Sequence, residues 1–154
     1  MRKIFKIGVV TLGLVGAGFV AWTMNSSTSA KAAEMVVYKS PSCGCCGAWI
    51  DHVKDSGFEV EVHDVLDLSA IKAKAGVPGE MESCHTAMID GYVVEGHVPA
   101  DDIKQLLVER PDVNGISVPG MPIGSPGMEM GDEKEPYASV LFSEAGYQVF
   151  AEHN

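Results

Sequence analysis

The stretch EMVVYKSPSCGCCGAWIDHVKDSGFEVEVH, Glu34 to His63, decides the fold. Glu34 to Lys39 reads as a short buried strand, closed by the turn and helix-cap cluster Ser40-Pro41-Ser42. Cys46, Trp49, Ile50 and Val53 then recur at helical spacing until Gly57, which is placed to cap a helix C-terminus. Phe58 to His63 alternates apolar and polar residues, the pattern of a half-buried strand. The three elements make a βαβ opening, with the cysteines where the first strand ends and the first helix begins. Unpaired amides and the positive end of the helix dipole favour thiolate over thiol there. A thiolate is both the nucleophile of disulfide exchange and a metal ligand, so Cys43 is primed for either chemistry.

Toward the C-terminus, Leu66 to Ala75 suggests a short helix with Leu68, Ile71 and Ala75 on one face. A loop, Gly76 to Met81, leads to Cys84-His85, with Cys84 delivered by a loop and not by a regular element. Thr86 to Ile89, the turn Asp90-Gly91 and Tyr92 to Glu95 form a hairpin pattern. Pro99-Ala100-Asp101-Asp102 opens a helix with Ile103, Leu106 and Leu107 on its apolar face, ending before Pro111. Gly115 to Gly131 holds five glycines, three prolines and three methionines, a composition that predicts a shaped loop. Its thioethers suit Cu(I), with Met121 and Met128 placed ahead of Met130. Tyr137 to Phe142 and Tyr147 to Phe150 close the chain as a hairpin across Ser143 to Gly146.

Strand, helix, strand, helix, proline loop and hairpin is the order of an α/β, thioredoxin-like domain. Here it carries a loop/hairpin insertion and no C-terminal helix. Val118-Pro119 is the candidate for a cis-proline loop facing the cysteine turn.

Before this domain, Arg2, Lys3 and Lys6 precede an uncharged apolar run from Ile7 to Trp22 and a small-residue stretch ending Ala30-Lys31-Ala32. That is the layout of a signal peptide over residues 1–32, either cleaved or kept as an N-terminal inner-membrane anchor. Both fates place residues 33–154 outside the cytoplasm. The leader also distorts the averages of the 154-residue chain, whose mean hydropathy is +0.11 and formal charge −10. Without Arg2, Lys3, Lys6 and Lys31, 7 bases face 21 acids, a formal charge of −14. Such acidity attracts cations and argues against a nucleic-acid partner.

Cys43, Cys45 and Cys46 crowd four positions, and Cys84 stands apart. A structural disulfide inside the cluster would close a loop too small to restrain the unfolded chain much. Chemistry or metal binding is therefore the stronger reading. Zinc sites normally take cysteine pairs from separate knuckles, whereas adjacent thiolates can bridge several low-coordinate Cu(I) ions. Against this stands the Cys43/Cys46 pair at a helix N-terminus, the placement used by thiol-disulfide oxidoreductases. Cys45 is its complication, since it could intercept the mixed disulfide. His85, directly after Cys84, is a candidate ligand, and His97 a weaker one. His52 and His63 read as surface residues, His153 as a mobile terminal one, and Trp49 as core packing.

Four motifs carry a family resemblance: Cys43-Gly-Cys-Cys-Gly-x-Trp49, Ser83-Cys-His-Thr86, Gly91-Tyr-x-Val-Glu-Gly-His-Val-Pro99 and Val118-Pro-Gly-Met-Pro-x-Gly-Ser-Pro-Gly-Met-Glu129. Together they resemble a family of exported metal-binding proteins that includes the CopG-type proteins encoded with bacterial copper-resistance genes. The likeness spans about Met35 to Phe150. It implies a thioredoxin-like fold, a periplasmic setting and copper handling through the cysteines. The expected ligands are Cys43, Cys45, Cys46, Cys84, His85, Met121 and Met128, holding one or several Cu(I) ions. Copper redox activity and contact with other periplasmic copper-resistance proteins are expectations of the same reading. No membrane contact is expected unless the leader is kept.

Overall fold

In the computed structural model, which describes residues 34–154, Met35 and Val37 are fully buried on β1 (Glu34–Lys39). The leader and its cleavage region lie outside the described residues. β1 pairs in parallel with β2 (Glu59–Asp64) across α1 (Gly44–Asp55), which realises the βαβ opening. α2 (Ser69–Ala75) and a 3-10 turn (Gly79–Met81) lead to the hairpin of β3 (His85–Ile89) and β4 (Tyr92–Gly96). Asp90 and Gly91 both take positive φ, 49° and 90°, as a two-residue turn matched to strand twist requires. α3 (Ala100–Glu109), β5 (Gly115–Val118), β6 (Tyr137–Ser143) and β7 (Gly146–His153) follow.

Among the described residues these strands form one mixed sheet in the order β2-β1-β3-β4-β5-β6-β7. One apolar cluster gathers Trp49, Ile50 and Val53 of α1 with Ile103 and Leu106 of α3 and the sheet residues Val37, Val94 and Ile116. A smaller cluster, Val77, Met81, Val93 and Phe142, lies under the 3-10 turn. Val93 and Val94 are successive, so the clusters occupy opposite faces of the sheet. This explains why all five residues of β4 are buried. Among the described residues no helix is long and apolar enough to cross a membrane.

Several expectations change. Gly115 to Val118, expected within the loop, is the fully buried strand β5, parallel to β4. Its four residues begin with Gly115 and run straight into Pro119, so they read as part of the loop, and Ser117 is buried with its hydroxyl on the Met81 carbonyl at 2.7 Å. Val118-Pro119 is not a cis-proline site, because the described residues contain no cis peptide bond. β2 is more exposed than half-buried, being the edge of the sheet; Val60 alone of its residues is not exposed. α2 starts at Ser69, whose amide is capped by Asp67 Oδ1 at 2.8 Å; the expected Leu68, Ile71 and Ala75 are half-buried, Ala75 against the smaller cluster, while the one fully inward residue is Lys72. His153 is anchored, stacked on Tyr137 and 2.8 Å from Asp102 Oδ2. His52 is no idle surface residue either, since its Nε2 accepts the Ala100 amide at 3.1 Å at the start of α3.

Candidate metal centre

Cys43 is the N-cap of α1, in extended backbone, and Cys45 and Cys46 lie in the first helical turn. The Ser40-Pro41-Ser42 turn delivers them, closed by the Cys43 amide on the Ser40 carbonyl at 3.0 Å. Cys46 faces inward and is fully buried, while Cys43 and Cys45 are half-buried. Cys43 and Cys46 are joined in a disulfide, and Cys45 Sγ lies 3.5 Å from Cys43 Sγ.

The loop ahead of β3 brings Cys84 to this turn across the fold. Its carbonyl oxygen is 3.7 Å from Cys46 Sγ, and the four cysteine sulfurs all lie within 4.8 Å of one another. Burial, reinforced by neighbouring Cys45, pushes the Cys84 thiol up to about 12. Metal-free Cys84 is therefore a thiol at neutral pH, and a metal must displace its proton.

Two histidines complete a second donor group with Cys84. His97 Nε2 stands 2.9 Å from Cys84 Sγ and its Nδ1 2.8 Å from the Pro126 carbonyl. A carbonyl only accepts, so Nδ1 carries the proton and Nε2 turns its lone pair toward the sulfur. His85 Nδ1 is 3.3 Å from the same sulfur, while its buried Nε2 lacks a hydrogen-bond partner of normal geometry. Burial, with lesser contributions from His97 and Lys72, lowers His85 to about 3. Burial also lowers His97. Both rings are thus neutral near pH 7, the form that binds a metal. Trp49 does more than fill the core: its ring lies 4.3 Å from His85, and its Nε1 donates to the Val98 carbonyl at 2.9 Å.

The Gly/Pro segment is the shaped loop its composition suggested, and it closes over α1. Gly127, at φ +84°, sits where a Cβ would come within 2.7 Å of the Trp49 amide nitrogen and 2.8 Å of the Cys45 carbonyl oxygen. Only glycine allows that approach, which also brings the Pro126 carbonyl to His97. Met128 follows Gly127 and is half-buried. Met121 is 51% exposed and follows Gly120, whose carbonyl accepts the Ser83 hydroxyl. Met130 is 59% exposed. The two favoured methionines therefore stand on segments tied to the cysteine site, beyond the sulfur and imidazole groups themselves.

Three contributors were weakly signalled by sequence. His97 is as close to Cys84 as His85 is, although eleven residues separate the histidines along the chain. Lys72 and Glu95 form a buried ion pair beneath the Cys84 loop, with Glu95 also accepting the Ser83 amide at 2.7 Å. An acid interrupting the apolar run Tyr92-Val93-Val94 was the available signal for it.

A mixed α/β domain that gathers four cysteines and two buried histidines in this way belongs to the class of proteins with a cysteine- and histidine-lined site able to hold a metal ion. Known proteins agree. The chain is similar to two solved structures titled copper resistance protein CopG, forms 2 and 1. Form 2 shares 48% identity over 80% of this chain and 100% of that one, with a TM-score of 0.77. Form 1 shares 49% over 80% and 98%, with a TM-score of 0.76. Residues 81–128 also match the family described as protein of unknown function, DUF411. No curated protein matches the chain. The chain belongs to the CopG family of copper resistance proteins.

Proposed function

We propose that this chain is a periplasmic copper-binding protein of copper resistance, holding Cu(I) on Cys43, Cys45, Cys46 and Cys84. His85 and His97 supply nitrogen donors, and Met121 and Met128 supply thioethers from the flanking loops. The observation that carries this reading is the convergence of four sulfurs within 4.8 Å beside the His97 Nε2 lone pair. Three sulfurs from one helical turn suit several bridged, low-coordinate ions better than one tetrahedral zinc. Copper is the cargo, and the leader of residues 1–32 exports the chain to meet it, with other periplasmic copper-resistance proteins as its partners. We read the fold as thioredoxin-like, a reading supported by the order β1-α1-β2-α2-β3-β4-α3 and the sheet order β2-β1-β3-β4, with β5 to β7 as an extension.

The Cys43–Cys46 disulfide favours a redox component. Two thiolates deliver one electron each to two Cu(II) ions, giving two Cu(I) ions and one disulfide. A dithiol returns the two electrons and reopens the pair. A dedicated thiol-disulfide oxidoreductase using Cys43 and Cys46 is the second reading.

Anaerobic titration of the fully reduced protein with Cu(I) tests the first reading, with more than one ion bound per chain expected. Tight zinc with no copper would overturn it. Cys84→Ser should weaken Cu(I) binding as much as Cys45→Ser does. Turnover in an insulin-reduction assay, undiminished in Cys45→Ser, would favour the oxidoreductase.

A further inference from the structure

Glu95 is fully buried on β4, and Thr86 is its direct partner across the β3–β4 ladder. Its carboxylate accepts the Ser83 amide at 2.7 Å through Oε1 and the Thr86 hydroxyl at 2.8 Å through Oε2. Lys72 reaches in from α2, pairs with the same carboxylate, and donates to Thr86 Oγ1 at 3.0 Å. Ser83 and Thr86 immediately flank Cys84 and His85. One buried acid therefore grips the chain on both sides of the dipeptide that supplies a sulfur and an imidazole.

Stability alone is a poor reason for this arrangement. Well-packed apolar side chains generally match or exceed a buried ion pair, whose desolvation cost offsets its attraction. What apolar packing could not supply is an acceptor for the Ser83 amide, which lies in a loop outside the strand ladder. The same residue is confined from two further sides. Its hydroxyl donates to the Gly120 carbonyl, and its Cβ lies 2.5 Å from where Gly96 would carry a Cβ.

We propose that Glu95, held in place by Lys72, is a positioning residue that fixes Cys84 and His85 opposite the α1 cysteines. The proposal rests on the metal-site reading above and adds to it the device that keeps the loop half of the site in register. The carboxylate itself binds no metal. It acts through two neighbours of the ligands, and the lysine supplies the charge that lets an acid remain buried there.

Two double variants separate positioning from stability. Lys72→Met with Glu95→Gln removes the ion pair and keeps an amide oxygen to accept from Ser83. Lys72→Met with Glu95→Met removes the acceptor as well. The readout is the iodoacetamide reaction rate at each cysteine of the reduced, metal-free protein, mapped by peptide mass spectrometry. With glutamine present, Cys84 should react as slowly as in wild type. With methionine it should react about tenfold faster, the local opening expected from losing hydrogen bonds to the buried acceptor. Cys45 should keep its rate in both. A folded Met/Met variant whose Cys84 reacts like wild type overturns the proposal, as does an equal acceleration at Cys84 and Cys45.

Should neither double variant fold, amide exchange in the wild type decides. Slow exchange at Ser83 supports the clamp, and exchange at the rate of an open loop overturns it. Neither readout involves metal. A wild-type protein that binds no copper therefore sinks the proposed function, while the clamp is judged on alkylation and exchange.

Discussion

Cys84 Sγ and His97 Nε2 lie 2.9 Å apart, although they stand thirteen positions apart in the chain with the complete β3–β4 hairpin between them. The Pro126 carbonyl fixes the imidazole tautomer at 2.8 Å, so the nitrogen facing the sulfur is the unprotonated one, which accepts the Cys84 thiol proton. Sulfur and nitrogen are thus oriented together before any ion arrives, and a preorganised donor pair spends less free energy on ordering.

Replacing His97 by Ala should lower Cu(I) affinity by about 10- to 100-fold, the range seen when groups that bind or orient metal ligands are removed. Competition against a colorimetric Cu(I) chelator under anaerobic conditions measures this. Affinity equal to wild type would show that His97 serves only the hydrogen bond to Pro126.

Acid should weaken the metal-free fold through His85. Its folded-state value of about 3 lies below the ordinary histidine value of 6.5, so the unfolded chain binds the extra proton between those limits. The contribution is complete above pH 6.5 and declines as pH falls toward 3. At pH 5 the loss relative to pH 7 should be about 2 kcal/mol. Urea unfolding across this window, compared with His85→Gln, isolates the histidine; identical pH profiles would contradict its burial as the neutral ring.

Gly127→Ala should destabilise the domain by about 1–3 kcal/mol, because alanine is strained at positive φ and its Cβ strikes backbone atoms of α1. The Pro126 carbonyl would withdraw from His97, so Cu(I) affinity should fall with it. Thermal melting and the chelator competition report the two effects, and an unchanged value in both would refute the packing described.

His52→Ala should cost about 1 kcal/mol of stability, since His52 Nε2 accepts the Ala100 amide at the first turn of α3. Cu(I) affinity should stay at the wild-type value, because the ring serves the helix start and not the sulfurs. Denaturant unfolding checks the first point and titration the second.

Local chemistry made half of this centre legible. Ser40-Pro41-Ser42 ends a strand, Cys46, Trp49, Ile50 and Val53 mark a helix face, and together they place three cysteines at a helix start. Those signals act within a few residues, so sequence alone determined β1, α1, the Asp90-Gly91 hairpin and the α1 side of the cluster. It also identified Cys84 as delivered by a loop, with His85 beside it, and the Gly/Pro segment as a shaped loop. It missed β5, because four residues led by a glycine and followed by a proline read as loop, and on α2 it missed the inward place of Lys72, whose partner lies 23 positions away.

Tertiary structure alone decided that Cys84 meets His97, that Glu95 and Lys72 lie beneath the loop, and that Gly127 admits the Pro126 carbonyl. Each is a contact between residues distant in sequence, fixed by sheet order and by the close approach of two backbones. The sequence therefore determined which donor chemistry the protein carries, and the packing of the sheet determined which donors face one another.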